Sequence, residues 1–140
     1  MECHLKNELN YDIQSCSNTF DYIYNDNYIY YICSNGVNKY DLRKSDIKSG
    51  ELLYLITSDS DDNIQGPFKL LEYDNKLYLG HDHYIQIYCI KTNEILYLTS
   101  HDINCEESCK IEQIEVLDDK IYIWYTLENG NKKSYFIDII

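Results

Sequence analysis

The amino-acid sequence predicts an all-β protein made of three antiparallel sheets of four strands each. Strand-forming residues are abundant, with 16 Tyr among 140 residues, and aromatic and β-branched side chains favour a pleated surface. No segment places its apolar residues at helical spacing. A short motif and a short turn each occur three times along the chain, so we expect the sheets to be repeats of one structural unit.

One motif recurs with a spacing of 43 residues. It reads KTNEILYL at residues 91–98, KSGELLYL at residues 48–55 and, in a weaker copy, LKNELNYD at residues 5–12. Each copy combines a polar turn, a Glu and a strand, so we interpret the motif as the fourth strand of a repeat. The recurring Glu is predicted to stabilise the turn and the recurring Tyr to pack between repeats: Glu8, Glu51, Glu94, Tyr11, Tyr54 and Tyr97.

A second recurring block predicts a hairpin in each repeat. It reads DNYIYY, DNKLYL and DDKIYI at residues 26–31, 74–79 and 118–123. Asn and Asp suit a two-residue turn because both tolerate left-handed backbone. The strands expected before these turns are residues 20–24, 68–73 and 111–117. An equivalent Tyr follows each turn and is expected to pack between repeats: Tyr30, Tyr78 and Tyr122.

A third strand is expected after each hairpin, at residues 37–42, 84–90 and 134–139. The longer connections are expected at residues 43–48, 57–67, 100–110 and 126–133. We therefore expect one domain, residues 1–140, with repeats at residues 19–56, 68–98 and 111–140. The third repeat has no fourth strand of its own. The displaced copy of the motif at residues 5–13, with Glu8, Leu9 and Tyr11, is expected to complete it.

The third and fourth strands resemble those of WD40 repeats. Tyr88-Cys89 stands where that family has Trp-Asp, and Thr92-Asn93-Glu94 resembles its Thr-Gly-Glu turn. Asp41 and Asp138 keep the family's Asp in the first and third repeats, and residues 100–102 resemble its Gly-His-Asp step. The related quinoprotein-like repeats share the turn. A repeat of about 44 residues is typical of propeller blades, and the resemblance implies a β-propeller that acts as a non-enzymatic interaction platform.

Three blades are fewer than the four to eight of most propellers. If two chains exchange residues 5–13, each strand completes the third blade of the other chain and no blade edge is left unpaired. We therefore expect a six-bladed homodimer. The alternatives are a monomeric stack or barrel of three blades and a part of a larger hetero-assembly.

Charge and cysteine usage limit the partners and the compartment. The net charge is −12, which opposes binding to nucleic acid or to an anionic membrane and suits a basic protein partner. No apolar run is long enough to span a bilayer. The first residues, MECH, have no feature of a secretory signal. We therefore expect a cytoplasmic protein whose six Cys are free thiols.

Three clusters offer candidate chemistry. His81 and His83 have a spacing that can chelate a metal, but a solvated turn is the preferred interpretation because no third ligand is apparent. Cys105 and Cys109 are interpreted as loop thiols, with a disulfide between them left open. Residues 59–63, DSDDN, begin like a calcium loop but lack its later Gly and Glu, and we interpret them as a solvated acidic loop.

No nucleophile, phosphate-binding or dinucleotide-binding motif is present in the sequence. We predict that the protein is not an enzyme and needs no cofactor. The preferred function is a protein-interaction or scaffold module, and the alternative is a small-ligand binder that uses a central pocket at the oligomer axis. A metal-assisted hydrolase at His81 and His83 is a third alternative. Trp124, the single Trp, is interpreted as a packing residue.

Overall fold

The computed structural model describes residues 18–34, 40–57, 67–99, 101–103, 105 and 109–139. These residues form 11 strands and no helix. The strands are β1 (Asn18–Tyr24), β2 (Tyr28–Ser34), β3 (Tyr40–Asp46), β4 (Leu52–Thr57), β5 (Lys69–Tyr73), β6 (Lys76–Gly80), β7 (Ile85–Cys89), β8 (Ile95–Leu98), β9 (Cys109–Leu117), β10 (Lys120–Leu127) and β11 (Lys132–Asp138). No helix within these ranges is long and apolar enough to cross a membrane.

The strands pair as three separate antiparallel sheets, which confirms the predicted all-β class. The first sheet has the order β1-β2-β3-β4, the second β5-β6-β7-β8 and the third β9-β10-β11. Every sheet is a meander in which sequential strands are neighbours. The chain divides into two compact units, residues 1–66 with the first sheet and residues 67–140 with the other two.

The first residues of the recurring motif form the same turn before β4 and before β8. Gly50 and Asn93 occupy the same place in it, and both have left-handed backbone, with φ of 73° and 61°. The N–H of Gly50 donates to the carbonyl of Asp46 at 2.8 Å, and the N–H of Asn93 donates to the carbonyl of Cys89 at 2.8 Å. Gly and Asn adopt left-handed backbone at the lowest cost in free energy. The motif therefore has one of these two residues at the position where the turn requires this conformation.

The hairpin turns follow the prediction in the second and third sheets. Both residues of each turn have positive φ, between 49° and 61°: Asp74, Asn75, Asp118 and Asp119. This is the two-residue geometry that matches the twist of paired strands. The first sheet differs because its turn is longer. There Asn25 Oδ1 accepts hydrogen bonds from the N–H groups of Asn27 (2.8 Å) and Tyr28 (2.9 Å), and this side chain replaces the left-handed pair.

One backbone hydrogen bond is repeated in all three sheets and defines equivalent positions. The residue after the third strand donates its N–H to the carbonyl of the last residue of the hairpin turn. The pairs are Ile47 to Asn27 (3.0 Å), Ile90 to Asn75 (3.0 Å) and Ile139 to Asp119 (2.7 Å). The third sheet therefore has the same arrangement of strands and turns as the other two sheets up to the residue that follows its third strand.

In the second unit the core lies between the second and third sheets. Tyr78 and Ile85 of the second sheet join one buried cluster with Ile111, Ile121 and Ile123 of the third. In the first unit a smaller cluster contains Ile29, Tyr31 and Cys33, with Ile47 and Leu52 packed against it. Buried residues alternate with more exposed ones along β9 and β10, so one face of that sheet enters the core.

All four predicted connections are too long because strands extend into them, by the largest amount at residues 43–48 and 126–133. β3 continues to Asp46 across residues predicted as a loop, since Arg43 is buried and forms an ion pair with Asp41 at 3.1 Å. β10 likewise continues to Leu127 and β11 starts at Lys132, which leaves a four-residue turn. The predicted closure strand, residues 5–13, lies outside the described residues.

Candidate functional site

His81 and His83 contact different parts of the second unit. The Nε2 atom of His81 lies 3.0 Å from Oε1 of Gln86, and its ring stacks on Tyr84 at 4.2 Å between centroids. His83 Nδ1 lies 2.9 Å from the carbonyl oxygen of Cys109. In the described part of the chain, no three His, Cys, Asp or Glu side chains lie close enough together to hold a metal. Both imidazoles therefore have a structural explanation.

The prediction of free thiols is wrong for three of the six cysteines. Cys105 forms a disulfide with Cys109, the first residue of β9, and both are buried in the core of the second unit. Cys33 is also disulfide-bonded. Cys89 has a free thiol, and Cys3 and Cys16 lie outside the described residues. The cytoplasmic location was inferred from the sequence of the first residues and stays a prediction.

The acidic candidates do not converge on a site within the described ranges. Residues 59–63, the proposed calcium-like loop, and Glu8 lie outside them. Glu51 and Glu94 are exposed, and each takes part in its turn through its backbone. The N–H of Glu51 donates to Ser49 Oγ at 3.1 Å, and the N–H of Glu94 donates to Thr92 Oγ1 at 3.3 Å.

The recurring tyrosines divide into two groups. Tyr30 and Tyr78 are buried, and Tyr78 packs against residues of the third sheet, as predicted. Burial raises the pKa of Tyr78 to about 12, and no hydrogen-bond partner of its hydroxyl lies in the part of the chain that the structure describes. The packing prediction is wrong in part for Tyr54 and Tyr97, which lie on the edge strands β4 and β8 and are 57% and 53% exposed. Each ring still contacts the buried residue paired with it: Arg43 Cζ lies 4.8 Å from the centre of the Tyr54 ring, and Gln86 Nε2 donates to the Tyr97 hydroxyl at 3.4 Å.

The third sheet differs from the other two at its edge. β3 and β7 are the third strands of their sheets and pair on both sides, β3 with β2 and β4, and β7 with β6 and β8. The equivalent strand, β11, pairs with β10. Within the described ranges, nothing pairs with its other side. An open strand edge presents unpaired N–H and C=O groups that can bind another strand.

The outward-pointing backbone groups of β11 follow from its register. Ile139 donates its N–H toward the β10 side, to Asp119. Successive residues of a strand point their backbone groups to opposite sides, so Tyr135 and Ile137 bond to β10. Ser134 and Phe136 therefore point their N–H and C=O groups to the open side.

The outer face of the third sheet carries a patch of exposed aromatic and apolar side chains. Trp124 is 36% exposed, Phe136 51% and Leu117 53%. The Tyr122 ring lies 6.3 Å from Trp124 and 6.1 Å from Phe136 between centroids, so the rings form a continuous surface. The interpretation of Trp124 as a packing residue is wrong in part, because much of its indole faces solvent.

Polar groups surround this patch. A shallow groove of about 510 Å³ runs beside Trp124 and is lined by Glu112, Gln113, Trp124, Tyr125, Thr126, Lys132, Lys133 and Ser134. At the other end of the patch, Lys120 Nζ donates to Asp138 Oδ1 at 2.7 Å, which raises the pKa of Lys120. The same ammonium lies 5.3 Å from the centre of the Phe136 ring. An aromatic centre with a polar rim is the usual anatomy of a protein interface.

Sequence reasoning missed this surface, although a signal for it was present. The run Ile121-Tyr122-Ile123-Trp124-Tyr125 is apolar on both faces of β10, which indicates a strand to be covered on both sides. In comparisons with known proteins, no family model and no curated protein matches the chain.

Proposed function

We propose that the protein is a non-enzymatic interaction module whose contact surface is the third sheet, β9–β11. The observation that carries the proposal is the open edge of β11, since the equivalent strands β3 and β7 are paired on both sides. Strand addition to a sheet edge is a general mode of protein recognition, in which backbone hydrogen bonds supply much of the affinity.

The side chains best suited to acid–base or metal chemistry support this choice. His81 contacts Gln86 and Tyr84, and His83 contacts the backbone of Cys109. Asp41 is engaged with Arg43. These contacts are those of structural residues, whereas the outer face of the third sheet exposes Trp124, Phe136 and Leu117, and β11 is an edge strand among the strands that the structure describes.

The strand that we propose for the β11 edge is residues 5–13 of a second copy of the chain. The segment repeats the sequence of β4 and β8, which are the strands that pair with β3 and β7. Exchange of this strand would give a homodimer whose three WD40-like repeats per chain form a six-bladed propeller. The net charge of −12 suits a further, basic protein partner, which the completed assembly would attract over long range.

The test is a proline placed where only the open side of β11 is affected. Ser134→Pro removes an N–H that points away from β10, so the existing ladder is preserved while an incoming strand loses a hydrogen bond and meets the proline ring. Ser134→Ala is the matched control because it keeps the N–H. Both variants and the parent chain are compared by sedimentation velocity over a range of concentrations.

We expect the parent and Ser134→Ala to dimerise with similar affinity and Ser134→Pro to bind at least ~10-fold more weakly, which corresponds to the loss of about one buried hydrogen bond per exchanged strand. Equal association of Ser134→Pro and Ser134→Ala would contradict strand addition at this edge.

A further inference from the structure

The hairpin turns of the second and third sheets meet at one end of the second unit. The hydroxyl of Tyr73, the last residue of β5, donates to Asp119 Oδ1 at 2.8 Å, and the N–H of Asp119 donates to the same hydroxyl oxygen at 3.1 Å. Tyr73 directly precedes the turn residue Asp74, and Asp119 directly follows the turn residue Asp118. The two hydrogen bonds therefore hold the turns that carry Asp74 and Asp118 side by side.

Carboxylates outnumber ammonium groups at this end of the unit. The three Asp side chains of the two turns are exposed. Two lysines follow the turns, Lys76 and Lys120, and the ammonium group of Lys120 is already bound to Asp138 at 2.7 Å. The neighbouring turn between β7 and β8 adds one charge of each sign, on Lys91 and Glu94. The paired turns therefore keep a negative charge at the surface.

A buried hydroxyl lies behind the two turns. Tyr78 is 0% exposed, and no hydrogen-bond partner of its hydroxyl lies among the residues that the structure describes. Tyr73 pairs with Lys76, which is two residues from Tyr78, so both tyrosines lie on the same face of the second sheet. Burial is the largest cause of the raised pKa of Tyr78, and the charges of Asp74 and Asp119 contribute to it, which indicates that the hydroxyl is directed toward the turns.

An unpartnered buried hydroxyl behind a group of carboxylates points to a ligand with hydrogen-bond donors and positive charge. Within the described ranges, no three acidic, His or Cys side chains lie close enough together to hold a metal ion. Acceptors that are divided between two turns suit a guanidinium group instead, because its five N–H donors point in different directions in one plane. An ammonium group concentrates its donors on a single, strongly hydrated atom.

We propose that this end of the second unit binds an arginine side chain of a basic protein partner. In this site Asp74 and Asp118 are the exposed acceptors, and the Tyr78 hydroxyl oxygen is the buried acceptor between them. The net charge of −12 draws a basic segment toward the chain over long range, and the paired turns supply the local contact.

The proposal goes beyond the interaction function argued above, because it adds a second surface and assigns the chemistry of its partner. The site lies at the ends of strands and is formed by a single chain. A ring of blades covers the faces of its sheets and leaves the ends of the strands open, so the site is compatible with strand exchange at β11 and does not require it.

The first measurement is the binding of a fluorescently labelled short peptide of alternating Arg and Gly to the full chain, followed by anisotropy. A peptide with Lys in place of Arg has the same length and charge. We expect the Arg peptide to bind at least ~3-fold more tightly at equal ionic strength, because a guanidinium group forms bidentate hydrogen bonds with carboxylates. No binding of the Arg peptide, or equal affinity of the two peptides, would overturn the proposal.

Substitutions in the turns provide the second measurement. Asp74→Asn and Asp118→Asn remove one negative charge each and preserve the turns, because Asn also adopts left-handed backbone. Each is expected to weaken binding of the Arg peptide about threefold, and the double variant about tenfold. Asp26→Asn combined with Glu51→Gln is the matched control, since both residues are exposed in turns of the first sheet and the net charge changes equally. A control as weak as the double variant would show attraction by net charge alone and would overturn the site.

Tyr78→Phe tests the buried hydroxyl, because it removes one oxygen and keeps the ring. Loss of a hydrogen bond from a charged donor to this oxygen is expected to weaken binding at least ~5-fold. Tyr54→Phe is the control, because Tyr54 is 57% exposed on β4. The effect of Tyr78→Phe should persist at high salt, whereas the effects of Asp74→Asn and Asp118→Asn should shrink, since salt screens exposed charges.

Urea unfolding establishes that each variant is folded. If Tyr78→Phe does not fold, the two Asn variants and their control decide the outcome. A folded Tyr78→Phe that binds the Arg peptide as tightly as the parent would refute the site.

The site and the strand exchange can fail separately. Ser134→Pro should weaken the dimer and leave binding of the Arg peptide unchanged, because Ser134 lies on β11, away from the paired turns. A chain that stays monomeric and binds the Arg peptide through Asp74 and Asp118 would refute strand exchange and support the arginine site. A chain that dimerises and does not bind the peptide would support strand exchange and overturn the arginine site.

Discussion

Gly80→Ala tests the packing of the second sheet on the third, which forms the core of the second unit. The new Cβ atom would lie 3.0 Å from Ile114 Cδ1 and 3.2 Å from Phe68 Cζ. Carbon atoms prefer separations of about 3.5–4.0 Å, so both neighbours must move by roughly 0.5 Å. The backbone of Gly80 is not left-handed, and the substitution therefore acts through packing.

The magnitude follows from two opposing effects. Overpacking of a core costs about 1–3 kcal/mol, and replacing Gly by Ala in a strand recovers about 0.5–1 kcal/mol of conformational entropy. We expect Gly80→Ala to lower the free energy of unfolding by about 1–2 kcal/mol. Ile114→Val, which removes the nearest methyl group, is expected to cost about 0.5–1.5 kcal/mol alone. Combined, the two should be less harmful than their sum by at least ~0.5 kcal/mol.

Urea unfolding followed by Trp124 fluorescence measures these free energies at a fixed protein concentration. Gly130→Ala is the control, because Gly130 has a φ of 89° and no atom within 4 Å of its would-be Cβ. Gly130→Ala is expected to lower the free energy of unfolding through backbone strain alone. Its effect should therefore add to the effect of Ile114→Val without coupling. If Gly80→Ala is as stable as the parent, or if it shows no coupling to Ile114→Val, the inferred contact between the sheets is wrong.

Three further predictions concern the turns and a buried hydroxyl. Asn93→Ala and Asn93→Gly both lose the hydrogen bond that the Tyr88 hydroxyl donates to Asn93 Oδ1. Asn93→Ala should be more destabilising than Asn93→Gly by about 1 kcal/mol in urea unfolding, because a φ of 61° is strained for Ala; equal effects would contradict a backbone role. Asp46 accepts the N–H of Ser49, which holds its pKa below the ordinary 3.8. Its contribution to stability is present above that value and is lost as the pH falls through the lowered pKa. Asp46→Asn should therefore show a smaller loss of stability in acid, measured as the change in melting temperature below pH 4, and an unchanged acid profile would contradict the turn assignment. Tyr78 has its pKa raised to about 12 by burial, so its contribution is complete below pH 10 and is lost as the pH rises toward 12. Tyr78→Phe should flatten the stability profile between these values, and a profile parallel to that of the parent would indicate that the hydroxyl is solvated.

Much of the strand order could be predicted because the local signals agree. The Asp74-Asn75 and Asp118-Asp119 pairs adopt the left-handed turn that their residue types favour. Gly50 and Asn93 mark the start of the fourth strand for the same reason. These are backbone preferences of short segments, and they do not depend on tertiary contacts.

The features that could not be predicted depend on tertiary contacts. Arg43 is predicted to lie in a connection after the third strand, but it pairs with Asp41 and both side chains are buried in β3. The disulfide between Cys105 and Cys109 depends on the path of the loop before β9, for which no spacing rule exists. The exposure of Trp124 depends on what covers one face of β10, and an apolar run on both faces carries no information on which face remains open.

The mass of the full chain in solution, measured by sedimentation equilibrium over a wide range of concentrations, tests most directly the claim that the third sheet is an association surface. We predict a monomer of 16.7 kDa at low concentration and a dimer of twice that mass at high concentration. A monomer at every concentration would contradict the account.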